Sequence, residues 1–198
     1  MDHRFLGAAV GVAFFGSLTA DVLAANLVLN GSFERPVVAS GFLLFNTGST
    51  AIPRWKVVGA AGDTAIVSGS FSQNGYNFPA KSGANWVDLT GRSNTATGVE
   101  QTVRTEVGKQ YRLTFFVGNV VNPTGIFGTV STVDVLIDDA QVFSAVNRRL
   151  TGSTVQNWKK FAFTFTAEFT KTKIAFINDD PGSDTSNGLD AVNLVLIP

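Results

Sequence analysis

The feature that most constrains the fold is a two-residue alternation of apolar side chains that recurs along the chain. Every second residue is apolar at positions 111–117, 133–137, 161–165 and 192–196. A period of two places alternate side chains on one face of a β-strand, whereas an amphipathic helix has a period of about 3.6 residues. The alternation therefore predicts an all-β fold in which each strand buries one face.

Turn residues separate these segments at intervals typical of a β-sandwich or jelly roll. The 20 glycines and 6 prolines supply the tight turns that short strands need. Residues 42–49 and 68–83 contain no alternation and are predicted to be longer loops, which in a sandwich often lie where ligands bind. The sequence predicts one domain over residues 25–198, and it makes no prediction of oligomeric state.

The first 24 residues have the organisation of a secretory signal peptide. A short polar start with Arg4 precedes an apolar run at residues 5–18, and small residues lead up to Ala24. The run is shorter than the about 20 residues that a membrane-spanning helix needs. We predict cleavage after Ala24, with Ala25 as second choice, and a secreted protein, periplasmic or extracellular, without membrane attachment. The alternative is an uncleaved anchor or a core helix.

Composition excludes several functional classes. The chain has no cysteine, and its one histidine, His3, lies in the leader, so thiolate and imidazole catalysis are both unavailable after cleavage. Fifteen basic and fifteen acidic residues balance. Because no basic stripe is present, we expect no binding to nucleic acid.

Several short motifs, taken in order, resemble a known family. They are NLVLNGSFE at residues 26–34, IPRW at 52–55, VDLTG at 87–91, VEQTV at 99–103, VGKQYRLTF at 107–115, GN at 118–119, FTFTA at 163–167 and GLDAV at 188–192. The series resembles the bacterial choice-of-anchor C proteins and the plant cell-wall proteins of the domain-of-unknown-function 642 kind. The resemblance implies a galactose-binding-like jelly-roll β-sandwich, akin to carbohydrate-binding modules.

Three departures from that family pattern are visible. Arg54 stands where glycine is usual, Ala191 stands where asparagine is common, and the C-terminal sorting signal of many members is not seen. The last departure weakens the expectation of surface anchoring, whereas the two substitutions hardly affect the fold expectation.

The resemblance also implies a structural calcium. Glu34 and Asp190 match the positions where related sandwiches hold calcium between a glutamate near the N-terminus and an aspartate at the start of the last strand. Asp190 shares the parity of Val192 and Leu194, so we expect it on the core side, where an unpaired carboxylate is unfavourable. Calcium needs six to eight oxygen ligands, which backbone carbonyls and water would complete. The alternative is that Asp190 accepts backbone N–H bonds or pairs with an arginine.

A sugar-binding platform is expected around Trp86. Because Val87 and Leu89 should face the core, Trp86 and Asp88 should face outward. An exposed indole can stack on the C–H face of a pyranose ring.

Neighbouring side chains would complete this platform. Asp88 or Asn85 would bond sugar hydroxyls, and Tyr76 and Phe78 would extend the stacking surface. The alternative places Trp86 beneath residues 68–83 as a second small core. Of the other tryptophans, Trp55 is expected in the core and Trp158 in the core or at its rim.

Three functions follow from these observations. The first is a secreted, non-catalytic module that binds polysaccharide, and the second is a structural, matrix or adhesion protein that acts through protein contacts. The third is a glycoside hydrolase, which needs two carboxylates about 5 to 9 Å apart. The available glutamates (Glu34, Glu100, Glu106 and Glu168) are too scattered in the sequence to identify such a pair, so we expect that this protein is not an enzyme.

Overall fold

The computed structural model describes residues 25–122, 125–148, 154–182 and 185–198. The predicted signal peptide, residues 1–24, lies outside this part of the chain. Within the described ranges the regular structure is entirely β. None of these residues forms a helix long and apolar enough to cross a membrane.

Thirteen strands are described, and the two large sheets are antiparallel throughout. In chain-order numbering, the six-stranded sheet has the order β1 (Phe42–Asn46), β3 (Asp63–Ser68), β6 (Asn85–Asp88), β13 (Gly188–Leu196), β8 (Gln110–Asn119) and β11 (Asn157–Thr166). The five-stranded sheet has the order β10 (Ala140–Asn147), β9 (Ser131–Ile137), β12 (Lys171–Asn178), β7 (Thr97–Arg104) and β2 (Lys56–Gly59). A two-residue ribbon pairs β4 (Ser72–Gln73) with β5 (Tyr76–Asn77). The expected all-β sandwich is confirmed.

The main core lies between the two large sheets and uses the faces that the alternation predicted. Leu113, Phe115 and Val117 of β8 are fully buried there, as are Val133 and Val135 of β9. Trp55 also belongs to this core, as expected. Each fully buried apolar side chain of this size stabilises the fold by about 1.5 to 3 kcal/mol.

A second, smaller core covers the outer face of the six-stranded sheet. We call residues 69–84, which connect β3 to β6 and contain β4 and β5, the covering segment. The buried side chains of this core come from the sheet, the covering segment and the stretch after β8: Ala65, Val67, Phe78, Trp86, Val120 and Phe127. The part of the six-stranded sheet beneath the covering segment is therefore apolar on both faces.

The prediction of a loop at residues 42–49 is wrong for its first five residues, which form the edge strand β1. Phe42 and Leu44 pack against the second core, whereas Phe45 packs against the main core. A strand that contacts two cores carries apolar residues at both parities. The FLLF run consequently shows no alternation, although it is a strand.

A β-bulge in β13 overturns the expected orientation of Asp190. Leu189 pairs with Val117 and Leu194 with Leu113, but the register shifts between Asp190 and Asn193. The extra residue reverses the parity of the strand. Asp190 is therefore fully buried on the outer face, under the covering segment, and not on the side of the main core.

Two residues that depart from the family pattern adopt a left-handed backbone, with φ of 76° at Arg54 and 51° at Ala191. The Trp55 N–H donates to Ile52 O (3.0 Å), so residues 52–55 form a turn with proline second and a positive φ third. This is the type II pattern, which favours glycine at the third position. The usual glycine and asparagine thus suit the backbone better than Arg54 and Ala191.

Candidate functional site

A cavity of about 510 Å³ lies on the outer face of the six-stranded sheet, beneath the covering segment. We call it the outer-face cavity. Its lining is mostly apolar and aromatic, and the polar side chains are Gln73, Asp88, Arg92, Thr185 and Ser186. A concave apolar site with a few convergent polar groups is the usual form of a ligand-binding site.

Strand β6 supplies the two cavity residues that the sequence had singled out. Trp86 and Asp88 both point away from the main core, as the parity argument predicted, and both line the cavity. The expectation of an exposed platform is wrong, however, because Trp86 is only 1% exposed. The alternative, a second small core beneath residues 68–83, is confirmed. A role for Trp86 in ligand binding stays a prediction.

Two indole groups fix the covering segment to the sheet. Trp86 Nε1 donates to Phe78 O (3.0 Å), and Trp158 Nε1 donates to the adjacent carbonyl of Pro79 (2.9 Å). The Trp158 ring lies close over Gly118 and Gly188, where an added Cβ would approach it to 2.9 Å and 3.0 Å respectively. Because glycine occupies both positions, Trp158 can lie against the sheet beside Trp86.

Aromatic rings form much of the cavity wall. Phe78 stacks on Trp86 with ring centroids 6.3 Å apart, and it contacts Phe71 and Phe127 at 5.6 Å and 5.1 Å. Phe71 also meets Phe42 edge-on at 5.6 Å. These contacts stabilise the wall, since each aromatic pair contributes about 0.5 to 1.5 kcal/mol beyond burial.

Asp88 brings a half-buried carboxyl group to this wall. All three of its hydrogen bonds go to Oδ1: from Thr90 N (3.1 Å), Thr90 Oγ1 (2.7 Å) and Asn187 N (3.2 Å). Burial raises the pKa of Asp88 from 3.8 to about 7, and these hydrogen bonds oppose the rise. Next to Asn187, the buried hydroxyl of Ser186 has no hydrogen-bond partner among the described residues. Asp88 Oδ2 and Ser186 Oγ are thus the polar atoms through which this end of the cavity could bind a ligand.

Tyr76 and Asn85, the other predicted ligand-binding residues, lie outside the cavity lining. Tyr76 packs in the second core with its ring 5.5 Å from Phe127. Asn85 has the inward parity of Val87 and is 1% exposed. Its amide, oriented to satisfy both atoms, donates to Val38 O at 2.9 Å. Of the five predicted residues, the fold brings Trp86, Asp88 and Phe78 together.

Glu34 and Asp190 hold the end of the covering segment. Asp190 Oδ2 accepts the N–H groups of Lys81 (2.8 Å) and Ser82 (2.9 Å), and Asp190 Oδ1 accepts that of Ala191 (2.6 Å). The Glu34 carboxylate accepts the N–H groups of Ala84 (3.0 and 3.1 Å) and Asn85 (3.0 Å). The alternative, in which Asp190 accepts backbone N–H bonds, is confirmed.

The hydrogen bonds to Glu34 and Asp190 leave few carboxylate oxygen positions free to bind a cation. Burial first, and then the nearby charge of Glu34, raise the pKa of Asp190 to about 7. The bonds above occupy three of the about four acceptor positions of each carboxylate, which leaves one on Asp190 Oδ1 and one on Glu34 Oε2. Among the described residues no three histidine, cysteine, aspartate or glutamate side chains form a group that could hold a metal. Calcium binding here stays a prediction, and most of its ligands would be backbone carbonyls and water.

Sequence reasoning missed Arg92, which lies at the mouth of the cavity. Its guanidinium carbon is 5.3 Å from the centroid of the Phe42 ring. Asp63 Oδ1 accepts the N–H groups of Arg92 (2.7 Å) and Ser93 (3.2 Å) and so fixes the turn that presents this side chain. Nothing in the local sequence pointed to Arg92, because β1, which carries Phe42, had been predicted as a loop.

A family model described as "Protein of unknown function (DUF642)" matches residues 26–194. No curated protein sequence matches the chain. Among solved structures, the chain is similar to the Stig cyclase Fisc of Fischerella sp. TAU in complex with an indole compound. The two are 19% identical with a TM-score of 0.62, and the match covers 88% of this chain and 98% of the cyclase chain. A cyclase from the same organism, in complex with 4-(1H-indol-3-yl)butan-2-one, is 20% identical with the same coverage and TM-score. These likenesses show a shared fold.

A third solved structure is a carbohydrate-binding module. TmCBM61, in complex with β-1,4-galactotriose, is 15% identical with a TM-score of 0.44, and the match covers 88% of this chain and the whole of that chain. This likeness is too low to carry an argument about function.

Proposed function

This chain belongs to the DUF642 family, and we propose that it is a secreted, non-catalytic carbohydrate-binding module whose site is the outer-face cavity. The observation that carries the proposal is the pairing, in one cavity, of aromatic walls with polar atoms that have unused hydrogen-bonding capacity. Aromatic faces bind the C–H faces of sugars, and Asp88 Oδ2 and Ser186 Oγ are placed to bind hydroxyls. The bound unit would be one or two sugar residues.

The carboxylates of the cavity support binding over hydrolysis. Among the residues that line it, Asp88 is the one carboxylate. A glycosidase needs two that flank the scissile bond. Glu100, which the sequence left open as a partner, lies on the five-stranded sheet and faces Lys56 at 3.6 Å.

The test is binding of residues 25–198 to a panel of soluble oligosaccharides by isothermal titration calorimetry. Ala65→Leu would fill the cavity from its floor, because Ala65 lines it. Ala175→Leu, on the outer face of the five-stranded sheet, is the matched control. We expect Ala65→Leu to abolish binding and Ala175→Leu to preserve it. Equal binding by both variants would exclude this cavity as the site.

A panel without any binding, with the protein folded, would favour the second function, a structural or adhesion protein acting through protein contacts. Exposed apolar side chains such as Val37 (78% exposed) and Phe169 (56% exposed) are where such contacts would be sought.

One observation favours catalysis as a further candidate, namely the raised pKa of Asp88. A carboxyl group that titrates near pH 7 in an apolar cavity is suited to general acid–base work. Such a reaction would involve a small, largely apolar substrate. Loss of turnover in Asp88→Asn with binding retained would support this candidate.

Secretion is part of the proposal and has its own test. Cleavage after Ala24 would give a mature chain that begins at Ala25. N-terminal sequencing of the protein released from expressing cells would give that residue, whereas an intact Met1 would contradict cleavage.

A further inference from the structure

The charges that line the outer-face cavity indicate the class of ligand. Asp88 and Arg92 are the charged residues of its lining. Asp88 contacts the stretch around Asn187, whereas Arg92 lies against Phe42. The cavity thus has a hydrogen-bonding carboxyl group at one place and a cation at another.

The guanidinium of Arg92 is available to a ligand. Within the described part of the chain the guanidinium forms no ion pair. The nearby Asp63 Oδ1 accepts the backbone N–H of Arg92 and does not contact its side chain. The Phe42 ring supports the guanidinium from one side, and this cation–π contact limits the positions it visits. A planar guanidinium held in this way can bind a carboxylate through two parallel hydrogen bonds.

We propose that the cavity selects an acidic sugar, in which Arg92 binds the carboxylate of a uronic acid while Asp88 and Ser186 bind ring hydroxyls. This inference rests on the proposed carbohydrate-binding function. Asp63 is then a positioning residue, because it holds the turn that carries Arg92. A neutral sugar would occupy the same aromatic walls without engaging the cation.

The expected preference is moderate because Arg92 is exposed to solvent. A bidentate contact at the surface is worth about tenfold in affinity, which corresponds to about 1.4 kcal/mol. Salt screens exposed charges. The preference for the acidic form should therefore shrink between low and high salt, whereas the affinity for the neutral form should not change.

The experiment compares each uronic acid trimer with its carboxyl-reduced, neutral counterpart by calorimetry, using galacturonate, glucuronate and mannuronate trimers on residues 25–198. We expect at least one acidic trimer to bind about tenfold more tightly than its neutral form. Arg92→Gln should remove that difference by lowering the affinity for the acidic trimer about tenfold. Arg104→Gln, an exposed arginine on β7 of the other sheet, is the control and should preserve the difference.

The outcomes separate the two proposals. Equal affinities for acidic and neutral trimers would overturn the selection of uronic acids and leave carbohydrate binding intact. A difference that survives in Arg92→Gln would overturn the role of Arg92. If no trimer binds and no neutral glycan binds either, with the protein folded, the proposed function itself fails.

Discussion

The half-buried carboxyl of Asp88 should make the stability of this protein fall as the pH rises. Its pKa is about 7 in the folded protein against an ordinary value of 3.8, and burial is the main cause. The folded state therefore holds this proton more tightly than the unfolded state does. The stability from this group is complete below pH 3.8 and is lost as the pH rises through about 7.

The size of the effect follows from the shift. Each pKa unit corresponds to about 1.4 kcal/mol, so the shift of Asp88 amounts to about 4 kcal/mol between the two pH limits. This is a large share of the about 5 to 15 kcal/mol by which a typical domain is stable. Asp63 adds a small contribution in the same direction through its charge.

The assay is urea unfolding, followed by tryptophan fluorescence, at a series of pH values from about 4 to 8. Asp190 also has a raised pKa, so wild type alone would report both groups. Asp88→Asn isolates one of them, because an asparagine Oδ1 can accept the same bonds from Thr90 and Asn187. The variant should match wild type near pH 4 and exceed its unfolding free energy by about 3 to 4 kcal/mol near pH 8.

Parallel pH profiles for wild type and Asp88→Asn would refute this reasoning. They would mean that Asp88 is solvated or compensated in the folded protein, and the acid–base candidate would lose its support. A variant that is less stable at every pH would show instead that the carboxylate itself is stabilised.

Three further predictions concern the backbone, the second core and the carboxylate pair. Arg54→Gly should raise the unfolding free energy, measured by urea unfolding, by about 0.5 to 1 kcal/mol, because relief of left-handed strain (about 1 to 2 kcal/mol) exceeds the entropy lost by glycine. An unchanged unfolding free energy would show that Arg54 is not strained. Gly188→Ala should lower the unfolding free energy by about 1 to 3 kcal/mol, since its methyl group would displace the Trp158 ring; unchanged stability would mean that the ring moves freely. If calcium binds, a free calcium concentration of tenfold its Kd should raise the Tm by about 3 to 6 °C in wild type but not in Glu34→Gln. A Tm that responds to neither calcium nor chelator would mean that the two carboxylates bind no calcium and serve only as hydrogen-bond acceptors.

The sequence predicted the main core well because that core follows a simple period. Every segment with strict alternation became a strand, and Leu113, Phe115 and Val133 face inward as expected. The same rule failed at β1, where apolar residues serve two cores, and at Asp190, where a bulge changes the parity. Periodicity cannot detect either case, because both depend on contacts between distant segments.

The site was predictable only in part for a related reason. Parity placed Trp86 and Asp88 on the outer face correctly, but parity says nothing about what covers that face. Hydrogen bonds hold the covering segment over Trp86: the indoles of Trp86 and Trp158 donate to it, and Glu34 and Asp190 accept its N–H groups. These four residues come from separate parts of the chain. Arg92 enters the site because the turn at residues 91–93 lies near β1 in space.

The bulge in β13 shows that the register of a strand can matter more than the identity of its residues. If β13 instead paired regularly from Leu194 opposite Leu113, without the bulge, Asp190 would lie opposite Val117 and share a face with Val192 and Leu194, as the alternation implies. The amides of Lys81 and Ser82 would lose their anchor, and the roof of the cavity would loosen although no cavity-lining side chain had changed. In this fold the register of the last strand therefore decides whether the cavity keeps its roof, a route by which one scaffold can acquire or lose ligands without any change in the residues that contact them.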